Sequence, residues 1–592
     1  MISKDPLKRV LYIDLSKKRY WIEEREDLFS KFIGGTGVAI KLLEENCPPD
    51  IDPLSPENPI IFAVGPLNAL FPLASKTVAM FKSPHTGNLG ESHAGGRSAI
   101  ALRMAGYGAI VIKGKSERPC YIAIHSDKVY FRDATILWGL KESVSPARLI
   151  REKEPGSGLR TIMRIGPAGE KLITYSCVTL ETYRHFGRLG LGAVFGSKNL
   201  KAIVISGKRD FPVADFKTYK NLYEKILKEL RESEKMKKYH ELGTSANIIP
   251  LVRIKGLPIK NLLTDKLEKV ENISGEAFAE KHLGRRVACS HCPVACIHLG
   301  AIREPYEDEP YFYKTVYVSY DYELIYALGS MLGINDSAKV LRLIKTVEDL
   351  GLDAISAGVI LAWVTEAFEK SIIDKSHTDG LVPKWGDENI YIEILKKVVE
   401  QPNEFYKDLG KGIHYVSEKY GGKEFALVFG KNEMPGYHTG PAGHLGYLFG
   451  ARHSHLDSGG YSFDQKALKQ KKSLTPKEIA EELIKEEQWR QILSSLVICF
   501  FGRGVYTQDV VLKCLKVLGY NLTKEELLEI GKKIYTNKYR FKIKSGFDFK
   551  NLKPPKRIFQ LASSLGPIKE EFIKESIEEF RKKIESLLKE SD

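Results

Sequence analysis

Three cysteines within eight residues, Cys289-Ser-His-Cys292-Pro-Val-Ala-Cys296, constrain this chain more than any other segment. The Cys-x2-Cys-x3-Cys spacing gathers three thiolates on one short loop, and soft thiolates select iron–sulfur clusters, zinc or copper over hard cations. A four-coordinate site needs one more ligand. Cys499, in Ser494-Ser-Leu-Val-Ile-Cys499-Phe-Phe, offers a remote fourth thiolate, and three local cysteines plus one distant one can hold a [4Fe–4S] cluster. The alternative is a structural zinc with His291 or His298 as fourth ligand.

The 592 residues suggest three or four domains at about 150 residues each. The longest apolar stretch, Ala354–Val364, is shorter than the ~20 residues that span a bilayer, and reads as a buried helix. The first residues carry charges and no apolar core, so no secretory signal is expected. Cys47, Cys120, Cys177 and Cys514 are dispersed and read as buried thiols, which fits a reducing cytoplasm. Lys plus Arg exceeds Asp plus Glu, 90 against 75, for a net charge of +15. Much of the excess lies in helical stretches, Lys217–Lys238 and Lys466–Lys472, read first as solvated faces. Their functional reading is attraction to an anionic partner. With no basic-aromatic motif for nucleic acid, an acidic electron-carrier protein fits better; a zinc-stabilised, basic nucleic-acid-binding protein is the distant alternative.

Residues 1 to about 210 are rich in glycine and strand patterns. Val10–Leu15 and Arg19–Glu23 predict a hairpin, with further strands at Pro59–Val64, Thr77–Phe81, Ala109–Lys113 and Ala202–Ser206. From about 211 the period becomes helical, over Phe216–Tyr239, Ser337–Leu350, Tyr391–Val399 and the tail Lys569–Lys589. Three glycine-rich segments, starting at Gly65, Ser83 and Gly187, mix glycine with Ser, Thr, Asn or a cation. Such loops let the backbone approach a ligand and present N–H donors. None is a Walker or Rossmann fingerprint, and together they suggest a large phosphorylated cofactor held by backbone.

The order of motifs resembles the tungsten-containing aldehyde:ferredoxin oxidoreductase family over essentially the whole chain. The matching pieces are Gly65-Pro-Leu, Ser83-Pro-x-Thr-Gly87, Ser92-x-x-Gly-Gly96, Ala105–Gly114, Gly190–Ile203, the cysteine triplet, Tyr322-Glu323-x-x-Tyr-Ala-Leu-Gly329, Asp349-Leu-Gly-Leu-Asp353, Glu433-Met-Pro-x-Tyr437 and Cys499. The resemblance implies an α+β fold in three domains: a β-rich base (1–210) beneath a bis-pterin, and two mainly helical domains (211–420 and 421–592) closing over it. It implies tungsten held by two pterins with a bridging magnesium, and one [4Fe–4S] cluster on Cys289, Cys292, Cys296 and Cys499. Lys76 then links cluster and pterin. His93, Gly95, Gly96, Arg188 and the backbone near Phe186 match pterin and magnesium contacts, and Asp353 grips one pterin. Glu323 is the acid beside the metal, His453 or His455 the active-site histidine, and Tyr437 and His438 line the pocket.

Departures from the family pattern are visible. Glu348 replaces an aspartate in the first pterin motif. The second, Ser494–Cys499, lacks its leading carboxylate and glycine, so the Ser494 or Ser495 hydroxyl is expected to substitute. His93 stands where asparagine is usual. The helix Ser337–Glu348 lacks the Glu-x-x-His that bridges subunits through iron in some members, so a heteromer with an iron–sulfur subunit is expected instead. The implied activity is oxidation of aldehydes to acids with ferredoxin as acceptor; the alternative is reduction of an acid or aromatic thioester within a larger complex.

Overall fold

The computed structural model describes residues 5–156, 160–181, 183–306, 308–309, 311–471 and 474–590, so Lys472 of the second basic stretch lies outside it. The expected hairpin forms: β1 (Arg9–Asp14) pairs antiparallel with β2 (Arg19–Glu24), Leu11 opposite Ile22. β1 is buried along its middle because its other edge runs parallel to the strand Ala109–Lys113. β2 is an edge strand and carries the charges that discourage further pairing.

Four more strands complete this first sheet, β3 (Ile60–Ala63), β4 (Thr77–Lys82), β5 (Leu89–Ala94) and β6 (Ala109–Lys113), in the order β2-β1-β6-β3-β4-β5. A second six-stranded sheet holds β7 (Cys120–His125), β8 (Lys128–Asp133), β9 (Thr161–Ile165), β10 (Val178–Leu180), β11 (Arg184–Phe186) and β12 (Leu200–Ser206), ordered β11-β10-β9-β12-β7-β8. After β12 the chain turns helical, the first long helix starting at Phe216. The α+β architecture, β-rich first and helical after, is therefore as expected.

The helical pattern Phe216–Tyr239 is not one helix. It breaks at Ser233, whose extended backbone (ψ 118°) separates Phe216–Glu232 from Glu234–Glu241. The cysteine triplet lies between β13 (Leu283–Val287) and β14 (Ile297–Pro305), which pair with β15 (Tyr313–Tyr320) in a small antiparallel sheet.

The apolar stretch forms the helix Ala354–Glu369, buried at every residue from Ile355 to Ala367. Its polar members are satisfied: Thr365 donates to the Leu361 carbonyl, and Glu366 meets Arg557 and Asn261. Among the described residues no helix is long and apolar enough to cross a membrane.

Candidate functional site

A cavity of about 440 Å³ opens where the base sheets meet the helices. Cys289, Cys292, Cys296 and Cys499 line it, and so do Glu323, Glu348, Asp353, Tyr437 and His455. Backbone hydrogen bonds bring the thiols together from distant segments. Leu73 N–H donates to the His291 carbonyl (3.0 Å), Cys499 N–H to the Leu73 carbonyl (2.9 Å), Ser290 N–H to the Gly96 carbonyl (2.9 Å) and Lys76 N–H to the Val497 carbonyl (3.1 Å). Segments around 73, 96, 290 and 498 are thus laced into one wall.

Among the described residues no three His, Cys, Asp or Glu side chains converge closely enough to hold a single metal ion. The zinc alternative would draw its fourth ligand from His291 or His298. Neither candidate histidine lines the cavity. The His298 ring faces the Cys296 and His240 carbonyls (3.2 and 3.0 Å), and His291 packs edge-on to Tyr223.

Burial pushes the Cys292 and Cys296 thiols up to about 12 and 11, and the neighbouring thiolates add to it. Cys289 is also buried, but Arg184 and Lys76 beside it outweigh that cost and hold its thiol below the usual value. Crowded thiols that resist ionisation together are what a positively charged iron core would relieve. Gly95 is needed here: a Cβ on it would lie 2.6 Å from Cys289 Sγ and 3.3 Å from Lys76 Nζ.

Deeper in, Arg188 is held on two sides. Its Nε donates to Asp353 Oδ2 (3.1 Å) and Nη2 to the Glu433 carbonyl (2.7 Å). Asp353 also caps the helix Ala354–Glu369 through Ile355 N–H (3.1 Å) and accepts from Ser356 Oγ (2.6 Å). Glu433 takes His85 Nε2 (2.8 Å) and Ser356 Oγ (2.7 Å).

Several buried polar atoms of cavity-lining residues have no partner: Arg184 Nε, His185 Nε2, Arg188 Nη1, Glu348 Oε1, Asn432 Oδ1 and His455 Nδ1. Buried polar groups are normally paired. A wall with this many open donors and acceptors, and with Lys76, Arg184, Arg188, Arg452, Arg490 and Arg503 on it, fits a large, polar, anionic guest. Phosphorylated pterins are of that kind.

Glu323 is the second residue of the helix Tyr322–Leu328, N-capped by Asp321. Its Oε2 accepts from Gly436 N–H (3.1 Å), and Oε1 lies 3.4 Å from His455 Nε2. Burial raises the Glu323 carboxyl to about 8 and lowers His455 to about 3, so the imidazole is neutral. His455 opens a short helix fixed by a reciprocal Ser454–Asp457 cap, and Asp457 is clamped by Arg452 Nε (2.6 Å). Tyr437 stacks on Tyr461 (4.2 Å) and packs near Tyr322 (4.9 Å) and His455 (5.6 Å), forming an aromatic wall.

Six expected site residues fall outside the cavity lining. At His453 the backbone turns left-handed (φ +55°), which sends its ring away to Tyr447 O (3.0 Å) and Lys542 Nζ (3.1 Å). Of the two histidines, His455 therefore faces the cavity. His438 is spent on His444 (2.9 Å) and the Leu561 carbonyl (3.1 Å). Phe186 packs in the core on Phe62. Gly96 acts through its carbonyl on the cysteine loop. Ser495 Oγ donates to the Gln491 carbonyl (2.7 Å) and accepts from Gly37 N–H (3.1 Å), so it clamps the helix Gly35–Asn46, and Ser494 lies beside it in the Gly35 contact. Neither serine lines the cavity.

Arg184, His185, Glu91 and Arg452 line the cavity and were not anticipated. Glu91 was legible: it lies two residues before His93 on a strand, hence on the same face. Its Oε1 meets His93 Nε2 (2.7 Å) and Thr36 Oγ1 (2.6 Å), while Oε2 pairs with the buried Lys538 Nζ (2.5 Å). Removing one partner of a buried ion pair strands the other charge. Lys538→Met is expected to cost about 3–5 kcal/mol of stability, read as a lower Tm.

Family models match nearly end to end: the aldehyde ferredoxin oxidoreductase N-terminal domain over residues 10–207 and its domains 2 and 3 over 221–588. The tungsten-containing aldehyde ferredoxin oxidoreductases of Pyrococcus furiosus and Thermococcus kodakarensis are each 33% identical, over 95% of this chain and 93% of theirs. An aliphatic sulfonate oxidoreductase, WOR-like subunit, of Pyrococcus furiosus is 31% identical over 66% of this chain and 64% of its own. The fold also matches the active-site complex BamBC of benzoyl coenzyme A reductase, with a TM-score of 0.82 at 22% identity over 98% of this chain and 94% of that one. The order of motifs, the fold and these matches agree: the chain belongs to the aldehyde ferredoxin oxidoreductase family.

Proposed function

We propose that this chain is a tungsten-dependent oxidoreductase that oxidises small aldehydes to carboxylic acids and passes the electrons through a [4Fe–4S] cluster to ferredoxin or an iron–sulfur subunit. The carrying observation is that one cavity joins the four thiols to the Glu323–His455 pair across a cation-rich wall. The tungsten enzymes among the relatives support the metal. Cys289, Cys292, Cys296 and Cys499 would hold the cluster. Arg184, Arg188, Glu348 and Asp353 would hold one pterin; Asn432, Arg452 and His93 offer the polar groups for the other and for a bridging magnesium. When bound, this group takes the two electrons the aldehyde loses and the cluster relays them singly.

The chain's own residues do the rest. His455, a neutral imidazole whose Nδ1 has no protein partner, is placed to donate to the aldehyde oxygen and polarise the carbonyl. Glu323 in its ionised form takes the proton from water as it adds to the carbonyl carbon. Tyr437 and Tyr461 exclude bulk water from one side, which strengthens both interactions.

A base at 1–210 and two helical units at 211–420 and 421–592 belong to the same reading, with Gly421-Gly422 ending the helix Ile413–Tyr420. So does a cytoplasmic location, which suits the buried thiols Cys47, Cys120, Cys177 and Cys514.

The test is metal analysis of the purified protein together with aldehyde-dependent reduction of a viologen dye. About four iron atoms and one tungsten per chain are expected. Full metal content with no turnover of any aldehyde, but with reduction of an acid or aromatic thioester, would move the reading to that alternative. Zinc in place of both metals would end it.

A further inference from the structure

Two motif pieces of the sequence lie behind the cavity wall rather than on it: the turn Ser83-Pro-His85-Thr-Gly87 and the side chain of Glu433. The turn closes on itself. Ser83 Oγ accepts from His85 N–H (3.1 Å) and Thr86 N–H (3.2 Å), and Gly87, left-handed at φ +81°, donates its N–H to the Ser83 carbonyl (2.9 Å). Ser83 Oγ in turn donates to the carbonyl of Leu189 (2.8 Å), the residue after Arg188. Pro84 packs so close to Gly190 that a Cβ there would lie 2.8 Å from Pro84 Cγ. The turn therefore fixes the backbone on which Arg188 stands.

His85 extends the same hold to the side chain. Its Nε2 meets Glu433 Oε2 (2.8 Å) and its Nδ1 meets Thr174 Oγ1 (2.9 Å), and the His85 and Glu433 side chains are both buried. A Cβ on Gly412 would lie 2.5 Å from His85 Cε1, so glycine is needed beside the ring. The second carboxylate oxygen, Glu433 Oε1, accepts from Ile413 N–H (3.2 Å), and the Glu433 carbonyl takes Arg188 Nη2 (2.7 Å). Ser356 Oγ lies between two carboxylates, 2.6 Å from Asp353 Oδ2 and 2.7 Å from Glu433 Oε2. A hydroxyl has one proton, and a carboxylate only accepts. With His85 donating to Glu433, the Ser356 proton is left for Asp353, the carboxylate that takes Arg188 Nε (3.1 Å). Burial would raise the Glu433 carboxyl, yet His85, Ser356 and Arg188 hold it at about 2, an anion that needs these donors. Arg188 is thus fixed at Nε and Nη2, while its buried Nη1, without a partner, is left for a guest.

We propose, on the reading that Arg188 and Asp353 hold a pterin, that His85 is a positioning residue of that site: through Glu433 and Ser356 it orients Asp353, and with Ser83 it sets Arg188, so that the cofactor meets a preformed carboxylate–guanidinium pair. His85, Ser356 and Glu433 do not line the cavity, so their effect on a guest passes through these two residues. The cysteine loop is held by other segments, around 73 and 96, which makes iron an internal control.

The experiment purifies wild type, His85→Leu, His85→Gln and Ser356→Ala as holoproteins and follows tungsten, pterin and iron per chain through prolonged dialysis. Leucine has no donor, whereas glutamine brings an N–H close to where Nε2 stood. His85→Leu and Ser356→Ala should lose tungsten and pterin about 10–100-fold faster than wild type, the usual effect of removing a hydrogen-bond partner that orients a metal site from behind, while iron stays. His85→Gln should restore most of the retention. Equal release from His85→Leu and wild type overturns the proposal. So does parallel loss of iron and tungsten, which marks a general structural role, or a glutamine variant as leaky as the leucine one. Should His85→Leu not fold, wild-type release from Ser356→Ala overturns it instead. Wild-type protein with iron but no pterin removes this inference and the proposed function together. The expected pattern in an enzyme that turns over no aldehyde supports the positioning role and counts against the reaction alone.

Discussion

Cys499→Ala is expected to yield a protein that has lost the brown colour and most of its iron, with dye reduction at background. Three of the proposed ligands sit on one loop held by Leu73 and Gly96, so they persist in the variant. Among the described residues the fourth is the one cavity-lining thiol that the segment after residue 420 contributes. A cubane with three ligands is exposed at one corner and degrades or exchanges its iron. The protein should still fold, because the Cys499 backbone bond to Leu73 does not involve the sulfur. Cys514→Ala is the matched control: that thiol is buried in the apolar cluster on which Cys292, Cys296 and Cys499 pack but does not line the cavity, and its loss should leave iron and activity in place. An intact cubane spectrum from Cys499→Ala would remove Cys499 from the ligand set.

What the sequence revealed, and what it hid, follows from how each feature is encoded. The cysteine triplet, the hairpin Arg9–Glu24 and the buried helix after Asp353 are local patterns: a spacing, an alternation, an unbroken apolar run capped by an acid. Each is fixed within about fifteen residues and was legible. The break at Ser233 was not, because the helical period runs through it and packing decides where the chain turns. The choice between His453 and His455 depends on one left-handed residue that no periodicity marks. The packing around Ser494 and Ser495 was hidden for a related reason. Their motif position suggests a ligand, but a glycine-rich segment more than four hundred residues earlier packs against them and uses the Ser495 hydroxyl. Arg184 looks like an ordinary polar residue in a short strand; its role beside the thiols appears only once β11 lies against the cysteine loop.

Glu323→Gln is expected to retain tungsten and iron while turnover falls by about 10²–10⁴, the contribution of a general acid–base group. The substitution keeps the volume and can still accept from Gly436 N–H, so the cavity should keep its shape. What it removes is the titratable carboxyl itself. Burial raises Glu323 to about 8, so its ionised, proton-accepting form grows as pH rises toward that value. The wild-type rate should therefore climb with pH up to about 8, and the variant's residual rate should lack that limb.

Stability gives an independent readout of opposite sense. A carboxyl whose folded value exceeds its unfolded value of 4.5 holds its proton longer in the native state, so between 4.5 and about 8 the native protein binds more protons and loses stability as pH rises. Glutamine carries no such penalty. The Tm of Glu323→Gln relative to wild type should rise from pH 5 to pH 9, while its activity falls. That pairing, a buried acid that costs stability and supplies rate, separates a working residue from a structural one: a structural Glu323 would lose Tm on substitution and leave the pH–rate profile in place. His455→Ala should lower turnover as well, without moving the alkaline limb, since its imidazole, held to about 3, is neutral across the whole range.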